Sequence, residues 1–187
     1  MKYDFDFILL YLILNIIFVS CGYIYYRVFI KRVYLIKKKL PFLIGFSQNI
    51  IFLIHVLLLY LPYYLFSSLP NLKTGKIIIL GIFVFIIGFS ILIWGFINLQ
   101  SIFRINGIKS DRLILKGIYK YTRNPQIIGY GLLIISYAIM WPSWYIIVSI
   151  ISYIIISHNM ILSEEKHLRK LFGEEYEKYC MKTPRYF

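Results

Sequence analysis

The groups able to bind charge or move a proton are few in this 187-residue chain, which has only 8 Asp or Glu and 3 His. They gather in its second half. Arg123-Asn124-Pro125 stand directly before one apolar run, and Glu164-Glu165 directly after the next, with His158, Asn159 and His167 beside them. A guanidinium, amides, carboxylates and imidazoles can hold a charged ligand or transfer protons. Each also has a plainer use. Asn124 is a good helix N-cap and Pro125 suits the first helical position. Arg123 serves as an interfacial anchor, and Glu164 and Glu165 as a solvated helix start paired with Lys166 or Arg169. His55 lies inside an apolar run, where an ionisable group calls for a partner or a function. Cys21 and Cys180 are isolated thiols, which suggests neither a disulfide framework nor a redox motif. The cysteines and histidines lack the spacing of metal ligands, so no metal is expected.

These residues are positioned by apolar runs. Hydrophobic residues make up 60% of the chain and charged ones only 16%, with a mean hydropathy of +0.73. That leaves too few polar residues to cover a soluble core. Runs of roughly 20 residues suit a hydrocarbon layer about 30 Å thick. Five are visible: Phe5 to Tyr26, Leu40 to Phe66, Ile77 to Leu99, Pro125 to Trp141, and Ser143 to Leu162. The first is too long for a signal peptide and lacks its basic start and small-residue cleavage site. The last two predict a helical hairpin turning at Trp141-Pro142-Ser143-Trp144, whose aromatics suit an interface. A hairpin returns its ends to one side, so Arg123-Asn124-Pro125 should lie near Glu164-Glu165. From Ser163 onward, Leu168, Leu171 and Phe172 predict a helical face, Gly173 a break, and Glu174 to Tyr179 a second stretch ended by Pro184. The fold class expected is an all-α integral membrane protein of about five transmembrane helices. The last two form the hairpin, and a cytoplasmic amphipathic tail follows. Residues 1–187 read as a single membrane domain, with three spans in 1–99 and the chemistry in 100–187.

The net charge of +13 does not point to nucleic acid, because its distribution follows topology. Arg27 to Lys39, Arg104 to Arg123 and Lys166 to Arg185 hold six Lys or Arg each, 18 together, against Lys2, Lys73 and Lys76 on the other side. The positive-inside rule makes the 18 cytoplasmic, with the N-terminus outside and the C-terminus inside. Arg27 to Lys39 reads as a basic connector. The expected partner is the lipid bilayer.

Read in order, the second half forms a pattern. Gly117, Tyr119, Arg123-Asn124-Pro125 and Gly129 are followed by the hairpin, then Glu164-Glu165, Leu168, Phe172-Gly173, Tyr176, Tyr179 and Pro184-Arg185. This resembles the isoprenylcysteine carboxyl methyltransferase and phospholipid methyltransferase superfamily, over about residues 100–187. The resemblance implies a membrane-embedded enzyme that uses S-adenosylmethionine in a cytoplasm-facing pocket and takes a lipophilic acceptor from the bilayer. It implies that Leu113 and Ile114 lie against the adenosine, that Tyr119 lines the pocket, and that Arg123, Asn124 and Pro125 form its rim. Glu164 would hold the cofactor's ammonium group. Candidate acceptor-side or basic residues are His158, Asn159 and Glu165, with His167 behind them. Three positions depart from the pattern. Asn124 replaces a His, Ile127 replaces a Tyr, and Met160 stands where the prenylcysteine branch has an acceptor-binding Arg. The last departure favours a lipid amine or thiol acceptor over a prenylcysteine carboxylate, unless His158 or Asn159 substitutes. An NADPH-dependent membrane reductase related to sterol reductases, or a non-catalytic protein keeping the fold, are the competing readings.

Overall fold

A backbone in hydrocarbon must satisfy its own hydrogen bonds, and a helix does so within one segment. The computed structural model describes residues 5–37, 39–66, 75–109 and 111–186, and every regular element among them is helical. Helix α1 (Phe5–Ile24) continues through a π-helical stretch (Tyr25–Ile30) into α2 (Lys31–Ile36). Helices α3 (Phe42–Phe66), α4 (Gly75–Leu99) and a single turn α5 (Ile102–Ile105) follow. A 3₁₀ turn (Gly117–Lys120) then leads to α6 (Pro125–Met140), α7 (Trp144–Phe172) and α8 (Glu174–Lys182).

Among the described residues, four helical stretches are long and apolar enough to cross a membrane: Phe5–Ile36, Phe42–Pro62, Gly75–Leu99 and Trp144–Phe172. The chain is an integral membrane protein. The fourth expected run, α6, has 16 residues, or about 24 Å of rise, and forms a short hairpin arm against α7. Helix α7 has 29 residues, roughly 43 Å. Its polar end, residues 163–172, therefore stands beyond a ~30 Å hydrocarbon layer that residues 144–162 suffice to cross.

The supposed basic connector at Arg27 to Lys39 is instead helical as far as Ile36. Tyr26, Ile30 and Tyr34 recur every four residues and are buried, while Lys31 and Arg32 are exposed. That stripe packs the segment on α7, so the run of charge concealed an amphipathic helix. The tail begins without a break, because α7 carries the polar residues after Leu162 to its end. Lys2, Lys38 and Lys73, counted in the charge asymmetry, lie outside the described residues.

Lipid offers apolar helices no hydrophobic reason to associate, so small and polar residues make the contacts. Helix α1 meets α7 through Tyr11, whose hydroxyl donates to the Tyr145 carbonyl at 3.0 Å and lies 2.8 Å from Ser149 Oγ. Ser152 donates to Asn15 Oδ1 at 3.1 Å. Helices α4 and α6 meet along a glycine seam. A Cβ on Gly129 would stand 2.6 Å from Leu92 N and 2.7 Å from the Gly88 carbonyl, and one on Gly88 would stand 2.9 Å from the Gly129 carbonyl. Only glycine permits that approach. Gly81, Gly88 and Gly95 repeat every seven residues, keeping the seam on one face of α4.

Candidate functional site

The hairpin brings its two feet together as topology requires. Arg123, just before α6, places Nη1 2.9 Å from Glu165 Oε1 on α7. Arg185 grips the same carboxylate in a fork, Nε to Oε1 at 2.9 Å and Nη2 to Oε2 at 2.8 Å. Arg169 approaches Oε2 at 3.6 Å. Burial pushes the Glu165 carboxyl up. The hydrogen bonds from Arg185 and the charges of Arg123, Arg185 and Arg169 outweigh it and hold the group below the usual carboxylate range.

Glycine in the left-handed region makes this clasp possible. Gly173 has φ +50°, a conformation that costs other residues a Cβ clash, and it turns α8 back across residues 117–125. Tyr179 donates to the Tyr119 carbonyl at 2.7 Å, and Arg123 N donates to the Pro184 carbonyl at 3.1 Å. Asn124 stands at the N-cap of α6, but its amide makes no cap hydrogen bond and donates to the Arg185 carbonyl at 2.9 Å. The tail competed for that side chain and won it. Pro125 opens α6 as expected.

Above this clasp lies a cavity of about 340 Å³, within the size range of small-ligand sites. Residues 160, 164, 168 and 172 recur every four along α7, so Met160, Glu164, Leu168 and Phe172 form one wall. Leu113, Ile114, Tyr119, Arg123 and Asn124 also line it. It extends into the earlier segment through Tyr34, Gln48 and Asn49. Glu164 differs from its neighbour. Among the described residues its carboxylate has no hydrogen-bond partner and no cation within ion-pair distance. Burial first, and the Glu165 charge second, push its carboxyl up to about 7. Burial likewise raises the Tyr119 hydroxyl well above its ordinary range, so the ring meets the cavity as neutral phenol, its hydroxyl hydrogen-bonded to Gln126. Arg123 keeps a buried Nε with no hydrogen-bond partner among the described residues.

The other candidates fall elsewhere. Pro125 is buried beneath Gly95 of α4 and does not line the cavity. Neither does His158, whose Nδ1 is 2.9 Å from the Tyr186 hydroxyl, nor Asn159, which donates to the Ile155 carbonyl at 2.7 Å. His167 does line it, stacked on Tyr34 with ring centroids 3.8 Å apart. His55 is satisfied inside the bundle. Its Nε2 is 3.0 Å from the Ser149 carbonyl, which can only accept, so that nitrogen carries the proton and Nδ1 accepts from Tyr130 Oη at 2.9 Å.

Sequence reasoning placed Pro184-Arg185 in the pattern but missed the role of Arg185 as the second guanidinium on Glu165. It also missed Gln48 and Asn49, although an adjacent amide pair inside an apolar run was a visible signal.

A family model described as phospholipid methyltransferase matches residues 77–175, just over half the chain, from α4 to the first turn of α8. No curated protein and no solved structure matches it.

Proposed function

The chain belongs to the phospholipid methyltransferase family, within the membrane-embedded methyltransferases, and from that premise we propose that it transfers a methyl group from S-adenosylmethionine to a lipophilic acceptor. The observation that carries this reading is Glu164. A carboxylate without a cation of its own faces a cavity walled by Tyr119, Leu113 and Ile114, which fits a ligand bearing an ammonium group beside an adenine. When bound, S-adenosylmethionine supplies a methyl carbon made electrophilic by a sulfonium sulfur.

The chain's own residues do the remaining work. Glu164 would pair with the cofactor's ammonium, and Arg123, through its unpartnered Nε, would meet the carboxylate. Leu113, Ile114 and Tyr119 would hold the adenosine away from water. Because the leaving group of methyl transfer is neutral, no acid is needed, and orientation of the acceptor against the methyl carbon supplies most of the acceleration. Glu165 is occupied by three guanidiniums and serves to position Arg123. Where an acceptor must lose a proton first, His167 is the histidine at the cavity to take it. We place this end of the bundle in the cytoplasm on the charge asymmetry, with the N-terminus outside. Met160 lines the cavity where a prenylcysteine enzyme would need an Arg, which supports an amine or thiol acceptor over a carboxylate.

Calorimetry of the detergent-purified protein with S-adenosylhomocysteine and, separately, with NADPH tests the reading. Saturable binding of the former is expected; binding of NADPH alone overturns it.

A further inference from the structure

The cavity has a second polar end built from three amides, of which Gln48 and Asn49 lie outside the matched residues 77–175. Asn106 is buried, and its Nδ2 donates to the Ile102 carbonyl at 2.9 Å. A carbonyl can only accept, so this contact fixes which way the amide points and leaves Oδ1 facing Asn49. Asn49 must then present Nδ2, at 2.7 Å. By the same logic Gln48 presents Nε2 to the Asn106 carbonyl at 3.3 Å. The orientation of all three amides follows from backbone carbonyls. Two oxygens remain, Asn49 Oδ1 and Gln48 Oε1, and neither accepts a hydrogen bond from a described residue. Both residues line the cavity.

Around this pair the wall is apolar. Phe52 follows Gln48 by one turn of α3, and Leu92 and Phe96, one turn apart on α4, face the same space. The cavity thus joins two unpartnered amide oxygens to an aromatic and aliphatic surface, with Glu164 on its α7 wall.

We propose that Gln48 and Asn49 form the subsite for the head of the methyl acceptor, and that the head they select carries hydrogen-bond donors, N–H or O–H. The proposal rests on the methyltransferase reading and adds to it the residues that choose the acceptor. Two acceptor oxygens satisfy an amine or hydroxyl head and repel a carboxylate, whose lone pairs would face theirs. The apolar wall takes the chain attached to that head. An unmet amide oxygen costs more beside a donor-free ligand than in water, so discrimination comes from the mismatch.

The test is radiolabelled methyl transfer from S-adenosylmethionine in detergent. The acceptors are an amine-headed phospholipid, free ethanolamine, a small hydrophobic thiol and a farnesylated cysteine. Turnover of the amine-headed lipid is expected, with ethanolamine far weaker for want of the apolar contact. Asn49→Leu and Gln48→Leu should each raise the acceptor KM on the order of tenfold and leave the S-adenosylhomocysteine dissociation constant within about twofold. Asn49→Gln and Gln48→Asn keep both an amide donor for Asn106 and an acceptor oxygen, and should hold the KM closer to the parent than the leucine variants do. These two variants decide the matter if the leucine substitutions unfold the protein. Unchanged KM in both leucine variants, equal loss in the amide-for-amide variants, no turnover of any donor-headed acceptor by protein that binds S-adenosylhomocysteine, or turnover of the farnesylated acid alone overturns the proposal. Failure of the parent protein to bind S-adenosylhomocysteine is seen before any acceptor is added, and overturns the methyltransferase reading itself.

Discussion

Glu164 and Glu165 are adjacent in sequence, yet their replacement should give opposite phenotypes. In Glu165→Gln the buried Arg123, whose side chain is 9% exposed, loses the carboxylate 2.9 Å away. Stranding one member of a buried pair costs about 3–5 kcal/mol. The pairs with Arg185 and Arg169 are 31% and 42% exposed on the arginine side, and solvent reduces each to under ~1 kcal/mol. Glutamine keeps the volume and one acceptor oxygen, which places the total near the lower bound, about 3 kcal/mol. At roughly 2–4 °C per kcal/mol for a chain of this size, the midpoint should fall by about 6–12 °C. Circular dichroism melting in detergent reads this directly, and limited proteolysis should cut the loosened tail first. Glu164→Gln removes no ion pair, and it relieves the burial of a carboxylate pushed up to about 7, so at neutral pH it should melt at or above the parent. It should instead weaken S-adenosylhomocysteine binding by about 1–3 kcal/mol, the scale of a charged hydrogen bond. If Glu165→Gln melts like the parent, or Glu164→Gln binds like it, the division of labour between the two carboxylates is wrong.

The raised Glu164 carboxyl gives a pH dependence. With its group near 7, ionisation in the ligand-free protein opposes folding increasingly from the usual carboxylate range up to 7, so stability from this group falls as pH rises. Ammonium binding needs the ionised form, so affinity for S-adenosylhomocysteine should weaken about tenfold from pH 8 to pH 6, with the slope lost in Glu164→Gln. Gly129→Ala should destabilise by ~1–3 kcal/mol, measured by thermal melting, because the added methyl meets the α4 backbone of Leu92 and Gly88. Cysteine-accessibility labelling should modify Lys73→Cys from outside the cell and Lys116→Cys from the cytoplasm; labelling of Lys73→Cys from the cytoplasmic side contradicts the topology.

The sequence by itself determined the membrane character and the hairpin. Both follow from length and hydropathy, which act within one segment and need no tertiary partner. It also determined that Arg123 lies near Glu164-Glu165, since a hairpin's feet must share one side; the pair formed is with Glu165. Alternating burial in Tyr26, Ile30 and Tyr34 was present in the string, but charge at Arg27, Lys31 and Arg32 hid it. The glycines of α4 were visible too, yet their purpose appears only when α6 lies against them. Tertiary structure alone decided which carboxylate does what. Two neighbouring glutamates project about 100° apart on a helix, so one turned towards Arg123, Arg169 and Arg185 and the other into the cavity. Composition cannot report that angle. Nor could it report that Asn124 would leave its cap for the tail, that His158 and Asn159 would point away from the cavity, or that Gln48 and Asn49 on α3 would join it. Each depends on which helices pack side by side, and packing is set by contacts between residues tens of positions apart.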